Sequence, residues 1–278
     1  MYDIDFREQD VTALDTSTPL VDVGADAPGP FIVPSHAKRI TEILIHAIPD
    51  YTADTLEGFT SAIRLAGPGL NAPESWIPGP SGMVGGVATT SGGLGIVKPM
   101  HYYCNIPVIG GQAINAYGFM HGSADPGSLR MTVSVVYDGP NVGRWRHMDY
   151  REGDTAAANT GVALTGRGGV VEGDFRPGAP IVEVVVGVGG VPVAGPLAAP
   201  TIVQLTGSGL SIAGNYIFQG PGIYTQDDIT ASGDAKTCDL VKYECDIATK
   251  AQGFIRATAQ EINDDVGTPS HIIGLGFA

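Results

Sequence analysis

The chain has 278 residues, of which 43% are hydrophobic and 16% charged, and its formal net charge is −14. This length and apolar fraction fit one large or two modest domains with a sizeable core, and the acidic balance argues against a surface that follows nucleic-acid phosphates. The 40 glycines and 20 prolines, together with many Val, Ile and Thr residues, argue against a mainly helical protein and favour short strands joined by turns.

Taken in chain order, the predicted strands are bounded by Gly- and Pro-rich turns, and several alternate between apolar and polar residues. In LRMTVSVVY, Leu129, Met131 and Val133 share one face, which is typical of a half-buried strand. The helical candidates are short, at 52–58 and 154–158. The N-terminal half has predicted strands at 39–48, 60–66, 83–88, 94–98, 100–105, 111–120 and 128–137. The C-terminal half has them at 180–188, 200–206, 214–219, 236–247, 252–261 and 270–277.

The longest apolar stretch, residues 181–205, has the length of a membrane span. It contains Glu183 and three prolines, and its aliphatic residues are mostly valine. We interpret it as two buried strands joined by a Pro-rich connection rather than as a transmembrane helix.

The two halves of the chain share a series of weak matches. AIRLAGPGL at 62–70 matches IVQLTGSGL at 202–210, an offset of 140. Five further matches follow the same order at offsets of 140 to 142. They are ITEILIHAI with IVEVVVGVG, ESWIPGPSG with GNYIFQGPG, YYCNI with YECDI, Ile114 and Ala116 with Ile255 and Ala257, and SLRMTVSVV with SHIIGLGFA. Their constant spacing predicts an internal duplication of one domain, since the period is far too long for a solenoid.

The duplication predicts four segments. Residues 1–34 form an N-terminal arm or edge strand, 35–140 the first barrel, 141–179 a connector or insertion, and 180–278 the second barrel. About 100 residues with seven or eight strands per copy predict an all-β fold of two tandem jelly-roll sandwiches. An immunoglobulin-like sandwich is the alternative, but the sequence lacks the Cys…Trp…Cys spacing.

No motif in the sequence predicts a catalytic, cofactor-binding or metal-binding residue. No two of the histidines are closer than ten residues, so the HxH pair of a metal-binding cupin is absent, and there is no GxSxG, P-loop or GxGxxG motif. The histidines are His36, His46, His101, His121, His147 and His271. The glycines of GPGL and GSGL are interpreted as turn residues. A catalytic pair of carboxylates, as in glycoside hydrolases, remains an open possibility because its members would come from distant strands.

The three cysteines form no CxxC pair, and Cys104 and Cys245 occupy matched positions that favour small buried side chains over a redox role. The odd cysteine count, the absence of N-x-S/T sequons and the acidic first ten residues predict a chain made outside a secretory pathway, with no signal peptide. The acidic stretch 263–265 lacks calcium-loop spacing and is interpreted as a polar turn.

The matched segments ITEILIHAI/IVEVVVGVG, AIRLAGPGL/IVQLTGSGL, YYCNI/YECDI and SLRMTVSVV/SHIIGLGFA cover both halves of the chain. On this architecture the chain resembles the double jelly-roll major capsid proteins of tailless icosahedral double-stranded DNA viruses, the lineage that includes the adenovirus hexon. The resemblance implies a viral structural protein without enzymatic activity. It also implies homotrimeric, pseudo-hexameric capsomers that assemble in the host cytoplasm and tile the icosahedral shell of the virion.

The implied partners are other copies of the chain, minor capsid or penton proteins, and an internal membrane. The acidic N-terminal arm does not fit direct nucleic-acid binding. Two alternatives remain. One is a tandem β-sandwich module that binds carbohydrate or another ligand, although the sequence has only two tryptophans to serve as platforms. The other is a tandem β-sandwich enzyme.

Overall fold

The computed structural model describes residues 3–21, 29–50, 57–84, 99–122, 128–155, 159–189, 198–212, 216–224, 240–262 and 269–278. Every regular element in these residues is a β-strand, which confirms the predicted all-β class. The predicted helices at 52–58 and 154–158 lie partly outside the described residues. Where they are described, residues 57–58 and Asp154 belong to strands.

The strands are numbered in chain order. The N-terminal half contains β1 (Asp3–Val11), β2 (Thr18–Pro19), β3 (Phe31–Ile32), β4 (Arg39–Asp50), β5 (Glu57–Ala66), β6 (Ser75–Val84), β7 (Met100–Pro107), β8 (Ala113–His121) and β9 (Ser128–Tyr137). The C-terminal half contains β10 (His147–Asp154), β11 (Val162–Leu164), β12 (Gly166–Arg167), β13 (Val170–Val171), β14 (Ile181–Gly189), β15 (Ala198–Ala199), β16 (Thr201–Thr206), β17 (Tyr216–Gln219), β18 (Ile223–Tyr224), β19 (Val241–Ile247), β20 (Arg256–Glu261) and β21 (Ser270–Phe277).

The strands of the N-terminal half form two antiparallel sheets, with the orders β1-β9-β4-β7 and β2-β8-β5-β6. Their facing side chains pack into one core, in which Ile43, Leu65 and Met131 are fully buried. Burial of such side chains from water is the main force that holds two sheets together. We call this unit the N-terminal sandwich.

The C-terminal half repeats the arrangement. Its larger sheet has the order β13-β12-β10-β21-β14-β19, and it faces a sheet with the order β11-β20-β16-β17. Val184, Leu205 and Leu275 are fully buried between them. We call this unit the C-terminal sandwich. In the N-terminal sandwich β4 lies between β9 and β7, and in the C-terminal sandwich β14 lies between β21 and β19. These strands occupy equivalent places in the two halves of the chain.

The register of the ladders agrees in detail between the sandwiches. Strand β4 has an irregularity between Ile40 and Glu42, and β14 has one between Ile181 and Glu183. Across the neighbouring strand, Ile40 faces Tyr137 and Ile181 faces Phe277. Tyr137 and Phe277 are 140 residues apart. The sequence match of the last strands, at an offset of 142, is therefore wrong by two residues. Because side chains alternate between two faces, a shift of two residues does not change the face to which each side chain is assigned.

The segment 1–34 contributes β1, an edge strand that pairs with β9 along its whole length. The segment 141–179 contributes β10, which pairs with β21 in the interior of the larger sheet. The edge-strand alternative for residues 1–34 agrees with β1, whereas β10 lies in the segment predicted as a connector. Each strand carries an acid, an aromatic residue and an arginine in succession, Asp5–Arg7 in β1 and Asp149–Arg151 in β10.

The two GxGL segments form the same corner. Gly67 has φ of +133° and Gly207 has φ of +130°, values that favour glycine because they strain a residue with a Cβ atom. The amide of the second glycine of each corner donates to a backbone carbonyl near the start of β8 or β20: that of Ala113 at 2.8 Å in the first corner and that of Phe254 at 2.9 Å in the second. The leucine that ends each segment is buried. The predicted turn role of these glycines is thus confirmed.

Strand β6 contains Pro78 and Pro80 and was predicted only from residue 83 onward. A proline cannot donate to a ladder, so a strand with two prolines must lie where some of its amides need no partner. Strand β6 satisfies this requirement because it is the last strand of its sheet. The rest of the predicted strand 83–88 and the predicted strand 94–98 lie outside the described residues.

The apolar stretch 181–205 forms strands at both of its described ends, β14 and β16. The Pro-rich connection lies largely outside the described residues. Within the described part of the chain, no helix has the length and apolar character needed to cross a bilayer.

Candidate functional site

The two sandwiches contact each other through the outer faces of two sheets. Trp76 and Phe119 lie on the outer face of the sheet that contains β5, β6 and β8, and they pack against Tyr150 of β10 and Ile272 of β21. The Trp76 ring meets Phe119 edge-on at 6.1 Å and Tyr150 at 5.3 Å between ring centroids. These side chains are at most 5% exposed. The junction is therefore a third hydrophobic core, formed between the sandwiches, rather than a loose linker.

A network of ion pairs surrounds one side of this aromatic cluster. Glu74 accepts hydrogen bonds from the Arg64 guanidinium at 2.7 Å and from the indole nitrogen of Trp76 at 3.1 Å. Burial alone would raise the pKa of Glu74, but these hydrogen bonds lower it overall. Arg167 binds Asp149 at 3.0 Å and approaches Glu74 at 3.9 Å. These contacts fix the Trp76 ring and link the sandwiches across the junction.

A second polar group lies at the junction, and we call it the His121 cluster: Asp15, His121, Glu152 and Asp154. His121 Nδ1 lies 2.6 Å from Asp15 Oδ1, and His121 Nε2 lies 3.3 Å from Asp154 Oδ1. Glu152 is 2% exposed and accepts hydrogen bonds from the Tyr150 hydroxyl at 2.7 Å and from the Gly169 amide at 3.3 Å. The N-terminal sandwich supplies Asp15 and His121, and the C-terminal sandwich supplies the other two carboxylates.

Charges within the His121 cluster perturb one another. Burial would lower the pKa of His121, but its hydrogen bonds to Asp15 and Asp154 and nearby carboxylate charges raise it to about 10. Burial raises the pKa of Glu152 despite the opposing effect of His121. Burial would also raise the pKa of Asp154, but hydrogen bonds from His121 and Ser270 lower it overall. In the absence of another cation, the protonated imidazole is therefore the positive charge that stabilises this group of carboxylates.

The structure also contains an open cleft of about 750 Å³ between strands β7 and β19. The rings of His101 and Tyr103 lie on one side, 4.4 Å apart between centroids, and Glu183 lies on the other. The Glu183 Oε1 atom is buried without a hydrogen-bond partner among the described residues. Arg144 also lines the cleft and donates to the carbonyl of Cys245 at 3.0 Å.

Glu183 and Lys242 carry the largest electrostatic perturbations of the cleft. Burial raises the pKa of Glu183 to about 7, although the charge of Lys242 opposes the change. Burial lowers the pKa of Lys242 to about 8. The Lys242 ammonium lies over the Tyr102 ring, 3.6 Å from its centroid, and donates to the backbone carbonyl of His101. It therefore joins the edge strands of the two sandwiches.

The histidines other than His121 lie at separate places. His36 pairs with Asp3 at 3.1 Å, and His101 pairs with Glu42 at 2.9 Å. His147 stacks on Phe277, and burial lowers its pKa. His271 is fully buried, and burial lowers its pKa to about 4. His46 lies on β4 and is partly buried.

The two matched cysteines occupy equivalent environments. Cys104 Sγ lies 3.4 Å from the carbonyl of Ile40, and Cys245 Sγ lies 3.5 Å from that of Ile181. Burial raises the pKa of both thiols, to about 11 for Cys245, so neither is a thiolate at neutral pH. The third cysteine, Cys238, and the acidic stretch 263–265 lie outside the described residues.

Sequence reasoning missed the His121 cluster because its members come from distant segments. One signal was available: in β10, Tyr150, Glu152 and Asp154 recur at every second residue and so share a face. That signal needs the assignment of 147–154 as a strand, whereas the sequence predicts a connector over 141–179.

No family model and no curated protein matches the chain. Among solved structures, PNGF-II is similar at 9% identity with a TM-score of 0.43, over 98% of this chain and 65% of that one. A tandem CBM22 domain of Xyn10C from Paenibacillus barcinonensis matches at 9% identity with a TM-score of 0.25, over 100% and 91%. A triple jelly-roll protein of an archaeal virus matches at 9% identity with a TM-score of 0.23, over 96% and 58%. The chain thus spans less than two thirds of the length of PNGF-II. All three TM-scores are below 0.5, so no functional argument rests on these likenesses.

Proposed function

We propose that the protein is a double jelly-roll capsid protein, built by duplication of one domain and assembled into trimeric, pseudo-hexameric capsomers. A jelly roll has eight strands in two four-stranded sheets. Counted along the chain without the short β3, the N-terminal sandwich has strand orders 1-8-3-6 and 2-7-4-5. The C-terminal sandwich has the same orders when β12, β13, β15 and β18 are left out. This identity of strand order and register supports duplication.

The observation that carries the proposal concerns the two sheet faces that meet at the junction between the sandwiches, compared with the equivalent faces of the other two sheets. The outer face of the β2-β8-β5-β6 sheet is covered by the sheet that contains β10, β21 and β14. Among the described residues, nothing covers the equivalent faces of the other two sheets. Trp76, opposite Arg64, is buried at the junction. The ladder makes Ile217, opposite Gln204, its equivalent, one residue beyond the sequence match with Tyr216, and Ile217 is 60% exposed. Ile4 on β1 is 64% exposed and Ile48 on β4 is 44% exposed.

A second copy that docks in the same way would cover these faces. Such a contact is head-to-tail, with the β11-β20-β16-β17 sheet of one copy against the β1-β9-β4-β7 sheet of the next. Head-to-tail contacts close into rings when the rotation permits. Three copies supply six similar sandwiches, and a ring of six similar units tiles an icosahedral shell. The low charge content of 16% supports extensive coverage of the surface by other copies.

Under this proposal the chain is a structural protein of the virion and not an enzyme, and its assembly in the host cytoplasm remains a proposal. Its partners are other copies of itself, minor capsid or penton proteins and an internal membrane. The net charge of −14 supports a shell that does not bind nucleic acid directly.

The test is the mass of the purified protein in solution, measured by light scattering and native mass spectrometry over a range of concentrations. We expect a trimer or larger shells. Ile217→Arg places a charge in the proposed contact and should give monomers, while Val171→Arg, at a residue 86% exposed on the β12–β13 hairpin, is the matched control and should assemble. A protein that stays monomeric at all concentrations overturns the proposal.

A second candidate function, a ligand-binding module, is favoured by the cleft between β7 and β19. It offers an exposed aromatic ring in Tyr103, a carboxylate oxygen of Glu183 that has no hydrogen-bond partner among the described residues, and positively charged groups on Arg144 and Lys242. A neutral polyhydroxylated ligand fits this lining. Saturation-transfer NMR with cellobiose, xylobiose and diacetylchitobiose tests it. Binding by a monomeric protein that Tyr103→Ala abolishes would favour this candidate over the capsid proposal.

A further inference from the structure

We propose that Asp15, His121 and Glu152 bind a divalent first-row transition-metal ion, such as Zn²⁺, that joins the two sandwiches. One ligand atom from each of these side chains lies within 4.8 Å of the others, the only such group of three found in the described part of the chain. The proposal goes beyond the capsid function and does not depend on it. It also departs from the sequence analysis, which predicted no metal ligands.

The donor set fits this class of ion. One imidazole nitrogen and two carboxylates are common ligands of Zn²⁺, whereas Ca²⁺ and Mg²⁺ prefer oxygen ligands alone. Two carboxylates also balance the charge of a divalent ion. Three protein ligands leave one position for water in a tetrahedral site. Asp15 provides access to that position because its side chain is 45% exposed.

The orientation of His121 is already suitable. Its Nδ1 atom faces Asp15, and its buried Nε2 atom lies 3.3 Å from Asp154 Oδ1. When an ion replaces the proton at Nδ1, the Nε2–H group can donate to Asp154. A carboxylate that accepts the second ring N–H is the usual outer partner of a metal-bound histidine, since it fixes the tautomer and the ring.

Glu152 is held in place by groups other than the ion. The Tyr150 hydroxyl donates to its Oε2 atom and the Gly169 amide approaches its Oε1 atom. A buried carboxylate with fixed orientation loses little conformational freedom when it binds a cation. The Gly169 backbone also packs closely on Asp15, since a Cβ atom at Gly169 would clash with the Asp15 carbonyl. The two sandwiches therefore present their ligands at a fixed separation.

An ion held by ligands from both sandwiches should stabilise the folded chain. An ion that binds the folded chain and not the unfolded chain raises the melting temperature by mass action. Because the ligands come from both sandwiches, the ion should stabilise the junction and not only one unit. Zn²⁺ should therefore raise the melting temperature of the wild-type protein, and a chelator should reverse the change.

The test combines Co²⁺ absorption spectroscopy with thermal unfolding in Zn²⁺, on the full chain after treatment with a chelator. The wild type should bind one Co²⁺ per chain with visible d–d bands, and Asp154→Asn should lower the affinity about 10- to 100-fold. His121→Asn should abolish the bands. Asp15→Asn, at an exposed ligand, should also abolish them and should leave the fold intact.

The control is His101→Asn, since His101 pairs with Glu42 at 2.9 Å in a histidine–carboxylate pair that belongs to no three-ligand group among the described residues. This variant should bind Co²⁺ and respond to Zn²⁺ as the wild type does. If the wild type shows no d–d bands, or if Asp15→Asn and His101→Asn bind Co²⁺ equally well, the proposed site does not exist.

Discussion

Arg7 and Arg151 make the same contacts in the two sandwiches. Each guanidinium carbon lies 4.4 Å from the centroid of a phenylalanine ring, Phe31 for Arg7 and Phe175 for Arg151. Each guanidinium also donates to the carboxylate two residues before it, at 2.6 Å and 2.9 Å respectively, and to the carbonyl of the residue before it. Both arginines also donate to the carbonyls of the two residues that precede the phenylalanine.

These arginines fasten the first strand of each sandwich to a loop more than twenty residues later. Arg7 is 5% exposed and Arg151 is 2% exposed. A buried cation is stable only when hydrogen bonds and a counter-charge replace the water it has lost. The guanidinium meets this need because it donates several hydrogen bonds in one plane while its face stacks on the ring.

The first prediction concerns these two sites. Arg7→Lys and Arg151→Lys should each lower the free energy of unfolding by about 2–3 kcal/mol, because an ammonium cannot make the same set of planar hydrogen bonds. Urea unfolding followed by circular dichroism measures the change. Arg130→Lys is the control, since Arg130 pairs with Asp10 on the surface and should cost less than about 1 kcal/mol. Equal effects at all three positions would contradict the assigned role.

The second prediction concerns the GxGL corners. Gly67→Val and Gly207→Val should each impair folding of the sandwich that contains the substitution. The backbone at both positions has a positive φ, which strains a β-branched residue such as valine. The new Cβ atom would also lie 2.8 Å from the Ala113 carbonyl oxygen or 2.2 Å from that of Phe254. Soluble yield and near-ultraviolet circular dichroism report the effect. Gly178→Val is the control, because a Cβ atom there meets nothing within 4 Å.

The third prediction compares two equivalent positions. Trp76→Ala should lower the free energy of unfolding by about 3–5 kcal/mol, because it empties the aromatic cluster between the sandwiches. Ile217→Ala removes an exposed side chain and should cost less than about 1 kcal/mol in unfolding of the isolated chain. Under the capsid proposal the same substitution weakens assembly, which sedimentation velocity detects. Two variants with the same unfolding midpoint would mean that the junction is not a core.

The fourth prediction concerns pH. Burial raises the pKa of Glu183 to about 7 from its ordinary value of 4.5, so the folded chain binds a proton that the unfolded chain has released. Stability should therefore fall as the pH rises from about 4.5 to 7, and Glu183→Gln should remove this part of the fall. The urea midpoint, measured between pH 5 and pH 8, tests it.

Glu244→Gln is the control for the pH experiment. The charge of Glu244 contributes to the raised pKa of Glu183, so this variant should shift the fall to slightly lower pH without abolishing it. If Glu183→Gln keeps the full pH dependence of the wild type, Glu183 does not titrate in the cleft as described.

Much of the fold could be predicted from local patterns. Alternation in LRMTVSVVY and the apolar run of IVEVVVGVG identify β9 and β14, because side chains on a strand alternate between two faces. The repeated Gly67 and Gly207 identify a corner, because few other residues adopt that backbone conformation. The prolines of β6 and the many polar and charged residues of β10 conceal the strand pattern in both segments. The same polar character in residues 1–34 left an arm and an edge strand as alternatives, and β1 is the edge strand.

The sequence by itself determined the all-β class and the two matching corners, since both follow from local backbone preferences and from the period of the apolar residues. Only the tertiary structure decided which strands are neighbours, that β1 and β10 complete their sheets, and that Trp76 is covered while Ile217 is not. It alone brought Asp15, His121 and Glu152 together. The physical reason is that local preferences act over a few residues, whereas these contacts join segments more than thirty residues apart, whose meeting is decided by the burial of whole sheets.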